Sequence, residues 1–288
     1  SVDDRIQIPA SIKVMPGEDH EDALMFELAG PRSQLFFNPR TTKAGIVTCG
    51  GLCPGMNNVI RSLFLELYFI YGVKEITGFR YGYKGLDPRN NLEPVILEHS
   101  RIDDIHRDGG TVLGTSRGPV DVSAAVDNLI RQKINILFTI GGDGTQKGGH
   151  ELFKEAQRRN YPLAVVGIPK TIDNDVSFVS RTFGYLTAVE EACNVISKAH
   201  VEAKSVENGI SLVKLMGRNA GFIAIGATTA SQDVNFVLIP EVPFALSGEK
   251  GFLKALRDRI LDRKHAVVVV AEGAGQDLLG SGETRYDA

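Results

Sequence analysis

Three apolar runs, separated by helical patterns and followed by loops of glycine and polar residues, constrain the fold of this chain most. The runs cover residues 44–49, 134–140 and 163–168. Runs that are apolar at nearly every position are typical of strands covered on both faces, as in parallel sheets. The intervening stretch 121–133 has helical spacing of its apolar residues. The sequence therefore predicts a doubly wound α/β fold, with ligand-binding loops at the carboxyl ends of its strands.

A second set of such patterns occupies the later part of the chain. Helical spacing at 187–205 is followed by apolar runs at 210–215, 234–239 and 265–271. We predict two Rossmann-like, three-layer α/β/α domains, 43–185 and 186–288, with the active site in the cleft between them. Residues 1–42, which contain four prolines, are predicted to form a partly irregular N-terminal extension.

The composition is that of an ordinary globular protein. The chain has 288 residues, is 43% hydrophobic and 23% charged, and carries a formal net charge of -3. This charge gives no reason to expect nucleic acid or an anionic membrane as a partner. No apolar run approaches the roughly 18–20 residues of a membrane span, and the first residues lack a secretory pattern. Three cysteines without metal-type spacing suit a reducing compartment, so we expect a cytoplasmic protein.

The first glycine loop, residues 49–57, follows the run that begins at Ala44. Its glycines let backbone N–H groups approach a phosphate, and Pro54 can open a helix behind it. The spacing matches neither the dinucleotide fingerprint Gly-x-Gly-x-x-Gly nor the Walker loop. A phosphate site and a simple tight turn from strand to helix are both consistent with this pattern.

The second glycine loop is Gly-Gly-Asp-Gly-Thr at 141–145. Its glycines leave room for phosphates, and Asp143 can hold Mg²⁺ directly or through water. The Thr145 hydroxyl can reach a phosphate or cap the following helix. The same motif occurs in NAD kinases and in lipid kinases of the diacylglycerol type. It therefore indicates phosphoryl transfer without identifying the substrate.

The third loop carries the residues best suited to catalysis. Lys170, Thr171, Asp173 and Asp175 follow the run at 163–168. Phosphoryl transfer to a hydroxyl needs a base near that hydroxyl and groups that bind the phosphate oxygens. Either aspartate qualifies as the base by residue type. The alternative is an ordinary turn, because Asp and Asn are common turn residues.

Two arginines and one glutamate complete the set of candidates. Arg117 lies in a loop of small residues, where its guanidinium can approach an anion. Arg218 follows a predicted strand and precedes a small-residue helix, and Glu272 ends the apolar run at 265–271. For the arginines the alternative is a solvated or capping role on the surface.

Taken in order, these motifs resemble the 6-phosphofructokinase family from about residue 43 onward. The matching segments are Gly-Gly-Leu-Cys-Pro-Gly-Met-Asn, Gly-Gly-Thr-Val-Leu-Gly-Thr-Ser-Arg, Gly-Gly-Asp-Gly-Thr, Pro-Lys-Thr-Ile-Asp-Asn-Asp and Lys-Leu-Met-Gly-Arg. The N-terminal extension and the segment Ile-Pro-Glu-Val-Pro-Phe at 239–244 are similar to the longer plant and trypanosomatid ATP-dependent branch.

The resemblance implies roles for individual residues. The nucleotide would lie beside the first two loops and two basic residues: Gly50, Gly51, Arg117, Gly142, Asp143, Gly144, Thr145 and Lys170. Mg²⁺ would bind Asp143. Asp173 would take the proton from the C1 hydroxyl of fructose 6-phosphate, with Asp175 and Thr171 beside it. The sugar phosphate, the transition state and the sugar would contact Met216, Gly217, Arg218 and Glu272.

The phosphoryl donor is the main alternative within the family. Pyrophosphate-dependent members typically have Asp where this chain has Gly144, which favours ATP here. Lys170 points towards pyrophosphate, because pyrophosphate-dependent members have lysine at that position and short bacterial ATP enzymes have glycine. Plant and trypanosomatid ATP enzymes combine the two features, so ATP is the expected donor and pyrophosphate the alternative.

The chain departs from the family pattern in two places. Short bacterial enzymes have an arginine that reaches a neighbouring subunit at the position of Gly209. The family also continues beyond Ala288, with further residues for the sugar phosphate, so the acceptor site is expected to be incomplete here. Family members are usually oligomers, which implies a homodimer or homotetramer, and a non-catalytic subunit is a further alternative.

Overall fold

The computed structural model describes residues 5–7, 25–27, 30 and 34–279. Strands β1 (Arg5–Gln7) and β2 (Met25–Glu27) form an antiparallel pair. The remainder of the predicted N-terminal extension before residue 34, apart from residue 30, lies outside the described residues, as do residues 280–288. Within the described part, no helix is long and apolar enough to cross a membrane.

A six-stranded sheet, called the first sheet below, forms the larger part of the fold. Its strands lie in the order β5-β4-β3-β6-β7-β8, and all neighbours are parallel except β4 and β5. In chain order the strands are β3 (Lys43–Thr48), β4 (Glu75–Phe79), β5 (Val95–Ile96), β6 (Ile136–Gly141), β7 (Ala164–Thr171) and β8 (Phe183–Gly184).

Helices cover both faces of the first sheet, as the apolar runs require. These helices are α1 (Met56–Leu65), α2 (His99–Ile102), α3 (Val122–Gln132) and α4 (Asp143–Arg158). On one face Ile46 packs with Ile60 and Phe64 of α1. On the other face Val47 packs with Leu129 of α3 and Leu152 of α4. Alternate residues of β3 thus point into two separate cores, which confirms the doubly wound fold.

A three-stranded parallel sheet, the second sheet, follows. Its order is β10-β11-β9, from β9 (Gly209–Leu215), β10 (Phe236–Leu238) and β11 (His265–Ala271). Helices α5 (Tyr185–Ser205) and α6 (Phe222–Ser231) pack on one face around Val267 and Val269. On the other side α7 (Phe252–Arg263) meets β10 through the rings of Phe252 and Phe236, 5.5 Å apart. Only the first of these faces carries a core cluster among the described residues.

Several element boundaries differ from the predictions. The helix that Thr145 was expected to cap begins at Asp143, with Gly142 as the N-terminal cap residue. The strand expected to end at Ile168 continues to Thr171, where β8 pairs with it. The helix that Pro54 was expected to open begins at Met56 as α1 and continues directly into a π-helical segment, Glu66–Tyr71. The domain boundary at 185–186 stays a prediction, and α5 begins at Tyr185.

Candidate active site

The first glycine loop is held against the loop that carries Arg117. The Gly50 N–H donates to the Ser116 carbonyl at 3.0 Å, and the Thr115 hydroxyl donates to the Gly50 carbonyl at 2.6 Å. Gly50 has φ 84°, a left-handed conformation that favours glycine. A Cβ at Gly51 would lie 3.4 Å from Arg117 Nη2, so the guanidinium covers this loop. The structure thus brings three predicted phosphate-binding residues together.

Lys170 joins the end of β7 to the same loop. The side chain is 5% exposed, and its Nζ donates to the Gly51 carbonyl at 2.6 Å. Burial lowers the pKa of Lys170, while the neighbouring Cys53 and Cys49 partly offset that effect. A buried ammonium group with one hydrogen bond to a carbonyl keeps further N–H donors for an anion.

The second glycine loop opens α4. Gly142 is the N-terminal cap residue and Asp143 is the first helical residue, where a carboxylate is favoured by the helix dipole. Asp143 Oδ2 pairs with Lys147 Nζ at 2.7 Å. Thr145 is 7% exposed and packs beside Gly141, and its carbonyl accepts from the Tyr83 hydroxyl at 2.6 Å. The alternative of a Thr145 cap is wrong, because the helix already begins two residues earlier.

A groove of about 440 Å³ lies beside the second loop, and sequence reasoning did not find it. A Cβ built on Gly144 would meet no atom within 4 Å, so this side of the loop is open. The groove is lined by Tyr83, Gly118, Pro119, Val120, Val122, Gly144, Lys147, Gly148, His150 and Glu151. These residues come from three separate segments of the chain, which explains why no local motif reveals the groove.

Asp173 lies in the centre of the candidate site. It is half-buried, its N–H donates to Thr171 Oγ1 at 3.1 Å, and its Oδ1 has no hydrogen-bond partner among the described residues. Burial raises the pKa of Asp173, and the nearby carboxylates of Asp175 and Glu272 raise it further. Arg218 opposes this shift. Asp175 is exposed, so the structure distinguishes two aspartates that the sequence left equivalent.

The second sheet contributes the other side of the site. The Glu272 N–H donates to the Leu215 carbonyl at 2.8 Å, and the Gly273 N–H donates to the Gly217 carbonyl at 3.1 Å. These bonds tie together the loops after the neighbouring strands β9 and β11. Met216, which is 58% exposed, precedes Gly217 in this segment. The charges of Arg218 and Glu272 both influence the pKa of Asp173, so the loops of the second sheet lie close to the loop that carries Asp173.

Asp143, the predicted Mg²⁺ ligand, does not belong to a cluster of possible metal ligands among the described residues. The described residues contain no group of three or more His, Cys, Asp or Glu side chains that could hold a metal ion. Mg²⁺ usually keeps several waters and binds one or two carboxylates together with substrate phosphates. A single exposed carboxylate at Asp143, beside an open groove, fits that donor set.

The fold and the site define an α/β protein whose glycine loops, buried lysine and half-buried aspartate are suited to phosphoryl transfer. Sequence comparison identifies the family. A family model described as phosphofructokinase matches residues 43–285, and the chain belongs to the phosphofructokinase family.

Several curated relatives are about half identical to the chain. The ATP-dependent 6-phosphofructokinase of Borreliella burgdorferi is 51% identical over 90% of this chain. The ATP-dependent 6-phosphofructokinase 1 of Arabidopsis thaliana is 50% identical over 96% of the chain. The ATP-dependent 6-phosphofructokinase of Trypanosoma brucei brucei is 49% identical over 92% of the chain. The chain spans only 59%, 58% and 54% of these three relatives, respectively.

Solved structures support the fold. The T-state phosphofructokinase of Pichia pastoris superposes with a TM-score of 0.73 at 26% identity, covering 89% of this chain and 29% of that one. A pyrophosphate-dependent phosphofructokinase from Marinobacter aquaeolei superposes with a TM-score of 0.70 at 22% identity, covering 81% and 61%. The second likeness concerns the fold alone.

Proposed function

We propose that the chain is the catalytic part of an ATP-dependent 6-phosphofructokinase of glycolysis. It would phosphorylate fructose 6-phosphate at the C1 hydroxyl to give fructose 1,6-bisphosphate. The proposal rests on the environment of Asp173. Its Oδ1 is buried and has no hydrogen-bond partner among the described residues, and it lies where the loops of both sheets meet. The names of relatives about 50% identical to the chain support the choice of substrates.

Each reacting group then has a protein partner. The Asp173 carboxylate accepts the proton of the sugar C1 hydroxyl as the hydroxyl oxygen bonds to the terminal phosphorus of ATP, the bond between that phosphorus and the β,γ-bridging oxygen breaks, and ADP leaves. Lys170 and Arg117 bind the oxygens of the transferred group, and the N-terminus of α4 faces the remaining phosphates. Arg218 and Glu272 orient the sugar. Asp143 would hold Mg²⁺, which would supply positive charge to the phosphates.

Substitution of the proposed base, Asp173, tests the proposed function directly. Asp173→Ser removes the carboxylate and is expected to lower turnover by at least ~10²-fold. The assay uses fructose 6-phosphate and ATP, on this chain and on a form extended to the length of its relatives. Ser177→Ala, an exposed change in the same loop, is the control. Near-normal turnover of the Asp173 variant would remove Asp173 from this role, and an extended form inactive with every donor would refute the proposal.

Gly144 is the proposed determinant of the phosphoryl donor. No atom lies within 4 Å of the position that a Cβ would take there, so Gly144→Asp should leave the fold intact while adding negative charge beside the polyphosphate. We expect the KM for ATP to rise by about tenfold or more, which corresponds to roughly 1.4 kcal/mol. The alternative is a pyrophosphate-dependent enzyme, towards which the residue type of Lys170 points through the family resemblance. Faster turnover with pyrophosphate than with ATP in the unaltered protein would establish that alternative.

Self-association is part of the proposal. A homodimer or homotetramer is expected from the family resemblance, and light scattering of the purified extended form measures it. A monomer at all concentrations would contradict this expectation.

A further inference from the structure

The loop at 172–182, between β7 and β8, is closed by its own buried polar groups. β8 pairs with the end of β7, with Lys170 opposite Phe183 and Thr171 opposite Gly184. The chain therefore leaves the first sheet at Thr171 and returns directly beside it. Asp173 and Asp175 lie within this closed loop.

Asn174 forms the centre of the closure. Its backbone is left-handed, with φ 56°, a conformation that asparagine tolerates better than most residues. Its side chain is 9% exposed. Oδ1 accepts from the Thr182 backbone N–H at 2.7 Å, and Nδ2 donates to the Ser180 carbonyl at 3.3 Å. The residue between the two aspartates is thereby bonded to the far end of the loop.

Thr182 continues the connection to the sheet. It is 2% exposed, and its hydroxyl donates to the Thr171 carbonyl at 2.7 Å while lying 3.2 Å from Asn174 Oδ1. Thr171 Oγ1 in turn accepts from the Asp173 N–H. We call Asn174, Thr182 and Thr171 the loop clamp, since their hydrogen bonds connect the end of β7 to Asp173 and to the far end of the loop.

We propose that Asn174 and Thr182 are positioning residues, which keep the Asp173 carboxylate half-buried and facing Arg218. Leaving a buried amide or hydroxyl unpaired is unfavourable, so loss of one clamp bond is expected to open the loop rather than preserve its shape. The effect on catalysis rests on the proposed function, in which Asp173 is the base. The position of the carboxylate itself does not depend on it.

The pKa of Asp173 depends on its surroundings and therefore reports whether the loop clamp is intact. The groups that face Asp173 are Asp175 on the same loop, Lys170 on β7, Cys53 of the first glycine loop, Arg218 after β9 and Glu272 after β11. Burial is the largest cause of its raised pKa. An opened loop admits water, and the pKa of Asp173 then falls towards the ordinary value of a carboxyl group.

The test titrates Asp173 by carboxyl-carbon NMR in the whole chain, with Asp173→Asn to assign the signal. Thr182→Val removes the hydroxyl and keeps the side-chain shape, whereas Thr182→Ser keeps the hydroxyl. We expect Thr182→Val to lower the Asp173 pKa and to accelerate amide exchange at 173–182 by about tenfold. Thr182→Ser and the exposed control Ser177→Ala should retain the unaltered values.

Activity supplies a second readout. In a form with turnover, Thr182→Val should lower kcat by about tenfold, shift the acid limb of the pH profile to lower pH, and leave the KM for ATP unchanged. An unchanged Asp173 pKa together with unchanged amide exchange in Thr182→Val overturns the inference. This titration decides the matter even if the protein has no turnover. If Thr182→Val does not fold, Asn174→Gly, which permits the left-handed backbone, replaces it with the same readouts.

Discussion

The first sheet and the second sheet contribute the two sides of the candidate site, and they differ in how completely they are packed. The first sheet is covered on both faces, and Ile46 of its central strand is fully buried. The second sheet has a core on one face only within the described residues, and Ile210 and Leu212 of β9 are 52% and 69% exposed. The glycine loops and Asp173 therefore extend from a sheet with a core on both faces, while Arg218 and Glu272 extend from a sheet with a core cluster on one face within the described residues.

The two sheets are therefore expected to differ in how rigidly they hold the groups at the site. Groups that carry out the chemistry need fixed geometry, which a core packed on both faces provides. β9, which leads to Arg218, exposes Ile210 and Leu212 to solvent on one face, while Val213 is buried on the other. The stability of the chain should accordingly depend far more on β3 than on β9.

A matched pair of isoleucines tests this comparison with the largest expected effect. Ile46→Ala empties a fully buried position in the first sheet and should reduce the free energy of unfolding by about 2–5 kcal/mol. Ile210→Ala, at a half-exposed position of β9, should cost about 1 kcal/mol or less. Urea unfolding monitored by circular dichroism measures both. Equal losses would show that the two sheets are equally well packed.

A matched pair of glycines sharpens the comparison at the site itself. Gly217 has φ 132°, and a Cβ there would lie 2.5 Å from the Ala220 carbonyl oxygen. Gly217→Ala should therefore lower the free energy of unfolding by about 1–3 kcal/mol. Gly144→Ala, in open space within α4, should be neutral or stabilise by up to about 1 kcal/mol. The idea fails if thermal unfolding shows the larger loss for Gly144→Ala.

The smallest expected effect concerns the stability cost of the proposed base. Because the folded state raises the pKa of Asp173, the native chain holds that proton more tightly than the unfolded chain. The contribution of this group to stability is then greatest below its ordinary pKa and is lost as pH rises through the folded value. Asp173→Asn should raise Tm by about 1–3 °C at pH 7, and the gain should vanish below about pH 4.

Differential scanning calorimetry at a series of pH values measures this effect. Asp277→Asn, at an exposed position in the 3₁₀ segment Gln276–Leu279, serves as the control and should leave Tm unchanged. A lower Tm for Asp173→Asn at pH 7 would mean that the Asp173 charge is stabilised in the folded state.

Much of the fold was predictable because its signals are local. The strand His265–Ala271 has the bounds of the predicted apolar run, and the helix Val122–Gln132 lies within the stretch 121–133, since a continuous apolar run and helical spacing are each read within one segment. The end of β7 was not predictable, because residues 169–171 become strand only through pairing with neighbouring strands, β8 among them. The groove beside Gly144 was missed for a similar reason, as distant segments line it.

The site shows the same division. The sequence by itself determined which groups follow the strands, because strand–loop–helix order and residue type are local properties. These groups are the two glycine loops, Lys170, Asp173 and Arg218. Only the tertiary structure decided that Lys170 is buried against Gly51, that Asp173 is half-buried while Asp175 is exposed, and that the loop clamp lies behind them. The physical reason is that burial and charge at one side chain are set by residues far away in the chain, and these decide its pKa and its chemistry.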